Sequence, residues 1–132
     1  MSQQNVEIVR ALIAAWNARD REAFMKFQHP DVEMTLPRNL LEGGSYRGHE
    51  GVRRAFNDAV ESWEVNRVRV ERMDAVDDLV VMLGRAFNIA RGGGPSVDYE
   101  LAILMRVCDG QIIESRSFLT HAEALETAGL RE

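Results

Sequence analysis

Residues Ser45–Trp63 read SYRGHEGVRRAFNDAVESW, and this stretch divides the chain into two parts with different patterns. Tyr46-Arg47-Gly48 predicts a short extended segment that ends in a turn. The remainder predicts a helix, because its apolar residues recur along one face. Helices leading to one strand are predicted before this stretch, and strands closed by a short helix after it. The apolar stripe of the predicted helix consists of Val52, Phe56, Ala59 and Trp63.

The residues upstream predict two helices and a strand. The first helix covers Asn5–Asn17, where apolar residues follow the helical period. The second covers Asp20–Gln28, with the carboxylate of Asp20 as its N-cap. Val32–Leu36 alternates apolar and polar residues, as a half-buried strand does. A loop over Arg38–Gly44 then leads to the central stretch.

Downstream of the central stretch, the apolar period changes from helical to two. One strand begins at Val65, and Asp77-Asp78 predicts the turn that ends it. Leu79–Phe87 is nearly all apolar, which is typical of a strand covered on both faces. A strand over Val97–Val107 and a last strand over Gln111–Leu119 follow. A short final helix is then predicted, with Thr120 and Glu123 as its capping box and Gly129 as its C-cap.

The Asp109-Gly110 turn between the last two strands allows two registers. A two-residue loop places Ile113 opposite Arg106, which mixes the apolar and charged faces. A three-residue loop over Cys108–Gly110 places Ile113 opposite Met105 and separates the faces, with Gly110 in the left-handed conformation. We therefore predict the three-residue loop.

These elements predict an α+β domain that spans residues 1–132 as a single unit. A strongly curved, mostly antiparallel sheet wraps around the N-terminal helices and encloses a cone. The predicted inner wall of this cone consists of Met34, Leu36, Val81, Leu83, Arg85, Phe87, Tyr99, Leu101, Ile103, Met105, Ser115, Ser117 and Leu119.

The composition excludes several classes of partner. The 132 residues carry a net charge of −5 and show no basic stripe, so nucleic acid is not an expected partner. We see no signal peptide and no apolar run of the roughly 18 residues that a membrane helix needs, so a cytoplasmic protein without membrane contact is expected. The single cysteine, Cys108, forms no internal disulfide and suits a reducing compartment.

Three motifs carry a resemblance to a known family. They are Tyr46-Arg47-Gly48 followed by Gly51-Val52, Asp109-Gly110-Gln111-Ile112, and Ala122-Glu123-Ala124-Leu125 followed by Ala128-Gly129-Leu130. With the order of elements, they resemble the SnoaL-like, polyketide cyclase-like proteins of the nuclear transport factor 2 superfamily, which are related to the ketosteroid isomerases. The resemblance implies the cone fold. It implies no single activity, because the superfamily includes isomerases, cyclases, epoxide hydrolases, dehydratases and non-catalytic binders.

The positions that the resemblance assigns to ketosteroid isomerase chemistry carry no acid or phenol here. The carboxylate base of those enzymes falls at Leu36. Their tyrosine and protonated aspartic acid, which stabilise the enolate, fall at Leu12 and Ile103. None of these side chains moves a proton or donates a hydrogen bond.

The other activities of the superfamily are matched only in part. In the limonene-epoxide-hydrolase-like members, an Asp-Arg-Asp set works across three strands. Its arginine falls at Arg85, but its aspartates fall at Phe87 and Ser117. The acid of the SnoaL-type cyclases falls near Ser115 and Ser117.

Arg85 and Tyr99 are the candidate polar groups of the cone. A lone buried guanidinium costs several kcal/mol, so an inward Arg85 needs an anionic partner or a wet cavity. We predict that Arg85 faces the cavity, where it binds a carboxylate or polarises a carbonyl. A structural ion pair, for example with Glu42, or an outward orientation are the alternatives. Tyr99 either offers its hydroxyl to a ligand or serves as a core aromatic residue.

The candidate site thus has no assigned catalytic residue and no metal ligands, since the three histidines lack metal-site spacing. No cofactor is expected. The expected partners are a small apolar or amphipathic molecule and, from the resemblance, a second copy of the chain bound through the outer face of the sheet. The predicted pocket residues are Arg85, Tyr99, Trp16, Met34, Leu36, Phe56, Trp63, Phe87, Ile103, Ser115, Ser117 and Leu119.

Two functional hypotheses follow. The first is a protein that binds a small molecule in an apolar pocket. If it also catalyses, the resemblance implies isomerisation, cyclisation or hydrolysis of a polyketide- or terpenoid-like compound. The second is a non-catalytic dimeric binding or scaffold module of the same fold. An open cavity of about 300–1,000 Å³ with Arg85 and Tyr99 pointing inward supports the first. A cone filled by side chains such as Phe56 and Met105 supports the second.

Overall fold

Four helices and six strands follow one another in the computed structural model, which describes residues 2–37 and 44–130. The predicted loop over Arg38–Gly44 lies outside the described residues except for Gly44. The elements are α1 (Ser2–Asn17), α2 (Arg21–Lys26), β1 (Gln28–Leu36), β2 (Gly44–Arg47), α3 (Gly48–Ser62), β3 (Trp63–Val76), β4 (Leu79–Ala90), β5 (Val97–Cys108), β6 (Gln111–Phe118) and α4 (His121–Ala128).

The strands form one curved, unclosed sheet in the order β2-β1-β6-β5-β4-β3. Every neighbouring pair is antiparallel except β1 and β6, which run parallel. One face of the sheet, here called the inner face, packs against α1, α2 and α3 around Val9, Phe24, Val52, Met82 and Met105. The predicted α+β class and the mostly antiparallel curved sheet are confirmed.

The opposite, outer face of the sheet is partly covered by α4. Ala124 and Leu125 of this helix pack against Val81, Leu83 and Leu104 and form a separate outer core. The predicted caps hold the helix in place. The backbone N–H of Glu123 donates to the Thr120 hydroxyl at 3.2 Å, and Gly129 has a left-handed φ of 77°.

Strand β4 shows the main difference from the predicted inner wall. Ala86 lies opposite Tyr99 and Asn88 lies opposite Val97, and both Ala86 and Tyr99 belong to the inner core. Side chains alternate between the faces of a strand. The odd-numbered residues of β4 therefore lie on the outer face, and their predicted inward orientation is wrong. These residues are Val81, Leu83, Arg85 and Phe87.

The turn between β5 and β6 differs from the predicted three-residue loop. Cys108 pairs with Gln111, so the loop has two residues, and Asp109 and Gly110 take φ values of 52° and 79°. The pairing then shifts, with Val107 opposite Ile112 but Arg106 opposite Glu114. Ile113 is the extra residue of this β-bulge. The bulge keeps apolar and charged residues on separate faces of the two strands. The three-residue loop was predicted for the same separation, which a two-residue loop with a bulge also provides.

Two predicted helix ends are also corrected. Helix α2 ends at Lys26 rather than Gln28, because Gln28 already pairs with Ile112 of β6. Trp63 is the first residue of β3, and its N–H caps α3 by donating to the Ala59 carbonyl. Within residues 2–37 and 44–130, every helix is too short or too polar to span a membrane.

Candidate functional site

A cavity of about 140 Å³ lies between the helices and the inner face of the sheet. Its wall is mostly apolar, and its polar side chains come from α1, β1, β3, β4, β5 and β6. Helix α1 is fixed beside it by Asn17, whose amide exchanges two hydrogen bonds of 2.8 Å with the backbone of Val68. The lining residues are Leu12, Ile13, Trp16, Phe24, Gln28, Met34, Leu36, Ala55, Trp63, Asn66, Val68, Ala86, Asn88, Tyr99, Leu101, Ile103, Met105, Ser115 and Ser117.

Most of the predicted pocket residues lie at this cavity. Among the predicted residues, those that line it are Trp16, Met34, Leu36, Trp63, Tyr99, Ile103, Ser115 and Ser117. Four do not line it: Arg85, Phe87, Phe56 and Leu119. Phe56 lies behind the wall, with its ring centroid 5.4 Å from that of Trp16 and 5.2 Å from that of Phe24.

Arg85 lies on the outer face, so the prediction that it faces the cavity is wrong. Its Nε donates to Asp98 Oδ1 at 2.8 Å, and its side chain is 37% exposed. The hydrogen bond from Arg85 to Asp98 raises the pKa of the guanidinium above its ordinary value. An outward orientation with a surface ion pair, one of the alternatives left by the sequence, therefore accounts for this residue.

Tyr99 meets a polar partner that the sequence analysis did not identify. Asn88 Nδ2 donates to the Tyr99 hydroxyl oxygen at 3.0 Å, and Asn88 is only 3% exposed. Burial raises the pKa of Tyr99, and the hydrogen bond from Asn88 lowers it by a smaller amount. The phenol therefore keeps its proton at neutral pH and is available as a hydrogen-bond donor.

Trp16 is oriented by a polar contact with β3. Its Nε1 donates to Asn66 Oδ1 at 3.3 Å, and both residues line the cavity. The edge of the indole also meets the ring of Phe56 at an interplanar angle of 85°. These contacts fix the ring plane in the cavity wall, where indole provides a broad apolar surface.

Two buried amides of the wall are incompletely bonded. Gln28 is 1% exposed, and its Nε2 donates to the Phe24 carbonyl at 3.5 Å. The amide oxygens of Gln28 and Asn88 are both buried and accept no hydrogen bond from the described residues. An unpaired buried acceptor costs about 1–3 kcal/mol, so these are expensive groups for a wall with only a packing role.

The cavity wall has little capacity for proton transfer. Among the described residues that line it, Tyr99 is the only side chain with an ionisable group. His121 and His49 do not line it, and their Nε2 atoms each lie 2.8 Å from a backbone carbonyl oxygen, of Gly84 and Gln28 respectively. In residues 2–37 and 44–130, no three His, Cys, Asp or Glu side chains are grouped so that they could hold a metal ion.

Comparison with solved structures places this geometry in a known fold. A nuclear transport factor 2-like protein from Burkholderia thailandensis is 27% identical, with a TM-score of 0.79 over 92% of this chain and 96% of that one. A Jannaschia protein named as a SnoaL-like polyketide cyclase is 26% identical, with a TM-score of 0.77 over 96% and 92%. TerC, co-crystallised with polyporic acid, is 21% identical, with a TM-score of 0.80 over 93% and 96%.

Comparison of the sequence with curated proteins finds no match. The family model for the SnoaL-like domain, in contrast, matches residues 9–115. This range contains β1 to β5 and most of β6, and with them nearly all the residues that line the cavity. The chain therefore belongs to the SnoaL-like domain family.

Proposed function

We propose that this protein binds a small, mostly apolar molecule in the cavity, with the Tyr99 hydroxyl as its polar contact. The observation that carries the proposal is an apolar-walled cavity of about 140 Å³ into which neutral hydrogen-bonding groups converge. An engineered apolar cavity of about 150 Å³ takes up benzene. The proposed ligand is therefore about the size of one ring.

The cavity volume narrows the class of ligand that the sequence suggested. It lies below the predicted range of about 300–1,000 Å³, and Arg85 does not point into it, so of the features expected for a pocket protein only the inward Tyr99 is present. Family membership favours a polyketide- or terpenoid-like compound, and the volume favours a compact one. The structural relative TerC was co-crystallised with polyporic acid, which supports a small-molecule role for this fold.

We assign binding rather than acid–base catalysis to the described part of the wall. Isomerisation, cyclisation or hydrolysis by general base catalysis needs a group that accepts a proton near neutral pH. The described polar residues of the wall supply hydroxyls, amides and two indoles. Burial raises the pKa of Tyr99, which makes the phenolate a minor species at neutral pH.

A cavity-filling substitution tests the binding proposal. Ser117 lines the cavity, whereas its neighbour Arg116 is exposed on the other face of β6. We expect Ser117→Phe to weaken the binding of α-methylstyrene at least about tenfold, because the new ring occupies the space of the ligand. The fluorescence of Trp16 and Trp63, which both line the cavity, reports the titration.

Arg116→Phe is the matched control, since it adds the same ring at the adjacent position. It should leave the dissociation constant of α-methylstyrene within about twofold of the wild-type value. Absence of saturable binding to the wild-type protein, or equal binding by the two variants, would contradict the pocket proposal.

A dimeric scaffold is the second candidate function, and one observation favours it. Phe87 lies on the outer face and is 38% exposed, near the charged pair Arg85–Asp98. An exposed aromatic residue beside charges of both signs suits a self-complementary, twofold contact. Sedimentation equilibrium should give about twice the chain mass of 14.9 kDa, and Phe87→Asp should give the monomer mass. A monomeric wild-type protein would remove this candidate.

A further inference from the structure

Asn88 and Tyr99 form a polar pair in a wall that is otherwise mostly apolar. We propose that this pair receives the carbonyl oxygen of an uncharged ligand, with Tyr99 as the donor and Asn88 as the residue that positions it. The proposal rests on the binding function argued above and specifies the chemistry of the ligand. It assigns a role to Asn88, which the sequence analysis did not select.

In the structure the Asn88 amide is placed with its nitrogen toward the phenol, and this placement leaves the phenol proton free. Asn88 Nδ2 donates to the Tyr99 oxygen at 3.0 Å and so occupies an acceptor site of the hydroxyl. No described residue accepts the proton of Tyr99, while the side chain lines the cavity. A hydroxyl that already accepts a hydrogen bond is a better donor, because neighbouring hydrogen bonds polarise one another.

The strand register explains why Asn88 can hold this position. Asn88 lies opposite Val97, and Tyr99 is the next residue of β5 on the same face. Diagonal neighbours on adjacent antiparallel strands are within reach of an aromatic side chain. Asn88 is itself 3% exposed, so its amide is confined by packing beside the phenol.

The charge of the wall determines the charge of the ligand. None of the described lining residues carries a cation or a carboxylate. Moving an ionised carboxylate or ammonium group into such a site without a counter-ion costs several kcal/mol. A carbonyl group is uncharged and accepts a hydrogen bond, so it matches the Tyr99 hydroxyl as donor; it leaves the amide oxygens of Gln28 and Asn88 unpaired.

Two one-ring probes of the same shape test the inference. Acetophenone carries a carbonyl where α-methylstyrene carries a methylene group, so the ratio of their dissociation constants isolates the carbonyl contact. We expect Tyr99→Phe to reduce the preference for acetophenone by about two- to tenfold, the usual net effect of one neutral hydrogen bond. The carbonyl stretch of ¹³C-labelled acetophenone should also move to higher frequency in this variant.

Variants of Asn88 separate positioning from packing. Asn88→Asp has nearly the same shape but accepts the Tyr99 proton, so it should abolish the preference for acetophenone as fully as Tyr99→Phe. Asn88→Leu removes the support without competing for the proton. It should give an intermediate carbonyl frequency, and it remains informative if Asn88→Asp fails to fold. Arg85→Met, on the outer face, should leave the ratio and the frequency unchanged.

Failure of this inference differs from failure of the binding proposal. If both probes bind and their ratio is the same in wild type and Tyr99→Phe, the cavity binds ligands but the carbonyl assignment is wrong. A preference for phenol over acetophenone would also overturn it, since the pair would then accept rather than donate. If neither probe binds, the result contradicts the binding proposal and therefore also this inference.

Discussion

The Tyr99 phenol gives the protein a pH dependence that can be measured apart from any ligand. Burial raises its pKa in the folded state above the value of about 10 in the unfolded chain. Between these values the unfolded chain releases the proton first, so the free energy of unfolding falls as the pH rises above about 10. Below that pH this contribution is fully present.

We expect Tyr99→Phe to remove this part of the alkaline loss of stability. Urea unfolding at several values between about pH 8 and pH 11 should show a shallower decline for the variant than for the wild-type protein. The difference between the two curves cancels the titration of groups that they share. Parallel curves would show that the phenol titrates alike in the folded and unfolded states.

Strand β4 shows where the sequence was insufficient at the scale of an element. Leu79–Phe87 is almost continuously apolar because α4 covers part of its outer face, so the run has no alternation that identifies the inner face. Arg85 is at an odd-numbered position of β4 and Asn88 at an even-numbered one. Their side chains lie on opposite faces of the strand, so only one of them can face the cavity. A neutral amide costs less to bury than a guanidinium, and this comparison would have selected Asn88.

The bulge between β3 and β4 makes Gly84 a sensitive position. Pairing shifts between Val70 and Arg72, and a Cβ added at Gly84 would overlap the backbone carbonyl oxygen of Arg69. We expect Gly84→Ala to lower the free energy of unfolding by about 3 kcal/mol, at the upper end of overpacking costs, because a backbone atom must move. Urea denaturation measures the change. A loss below about 0.5 kcal/mol would mean that the strands separate easily at this bulge.

At the scale of the whole molecule, the two cores should separate stability from binding. Leu125 of α4 is 3% exposed and belongs to the outer core, away from the cavity. We expect Leu125→Ala to lower the free energy of unfolding by about 2–5 kcal/mol. The dissociation constant of α-methylstyrene should stay within about twofold of the wild-type value at a temperature where the variant is folded. A larger loss of affinity would show that the outer core shapes the cavity.

The fold could be predicted from the sequence to a greater extent than the site. The motifs that carry the family resemblance lie in the central stretch, the β5–β6 turn and α4. They therefore indicate the fold from positions spread between Tyr46 and Leu130. The aromatic and hydroxyl residues of the wall, such as Trp16 and Ser115, follow from strand and helix periodicity. The polar pair depends on the register between β4 and β5, which a continuous apolar run does not specify.

The parallel pairing of β1 with β6 has a consequence for the order in which the protein forms. Met34 lies opposite Ser115, and both line the cavity, so one wall of the site joins an early strand to the last one. Contacts between residues so distant along the chain are slow to form. A chain still on the ribosome cannot complete this wall until β6 has emerged. Ligand uptake should therefore follow the emergence of β6, and its appearance would report that this wall is complete.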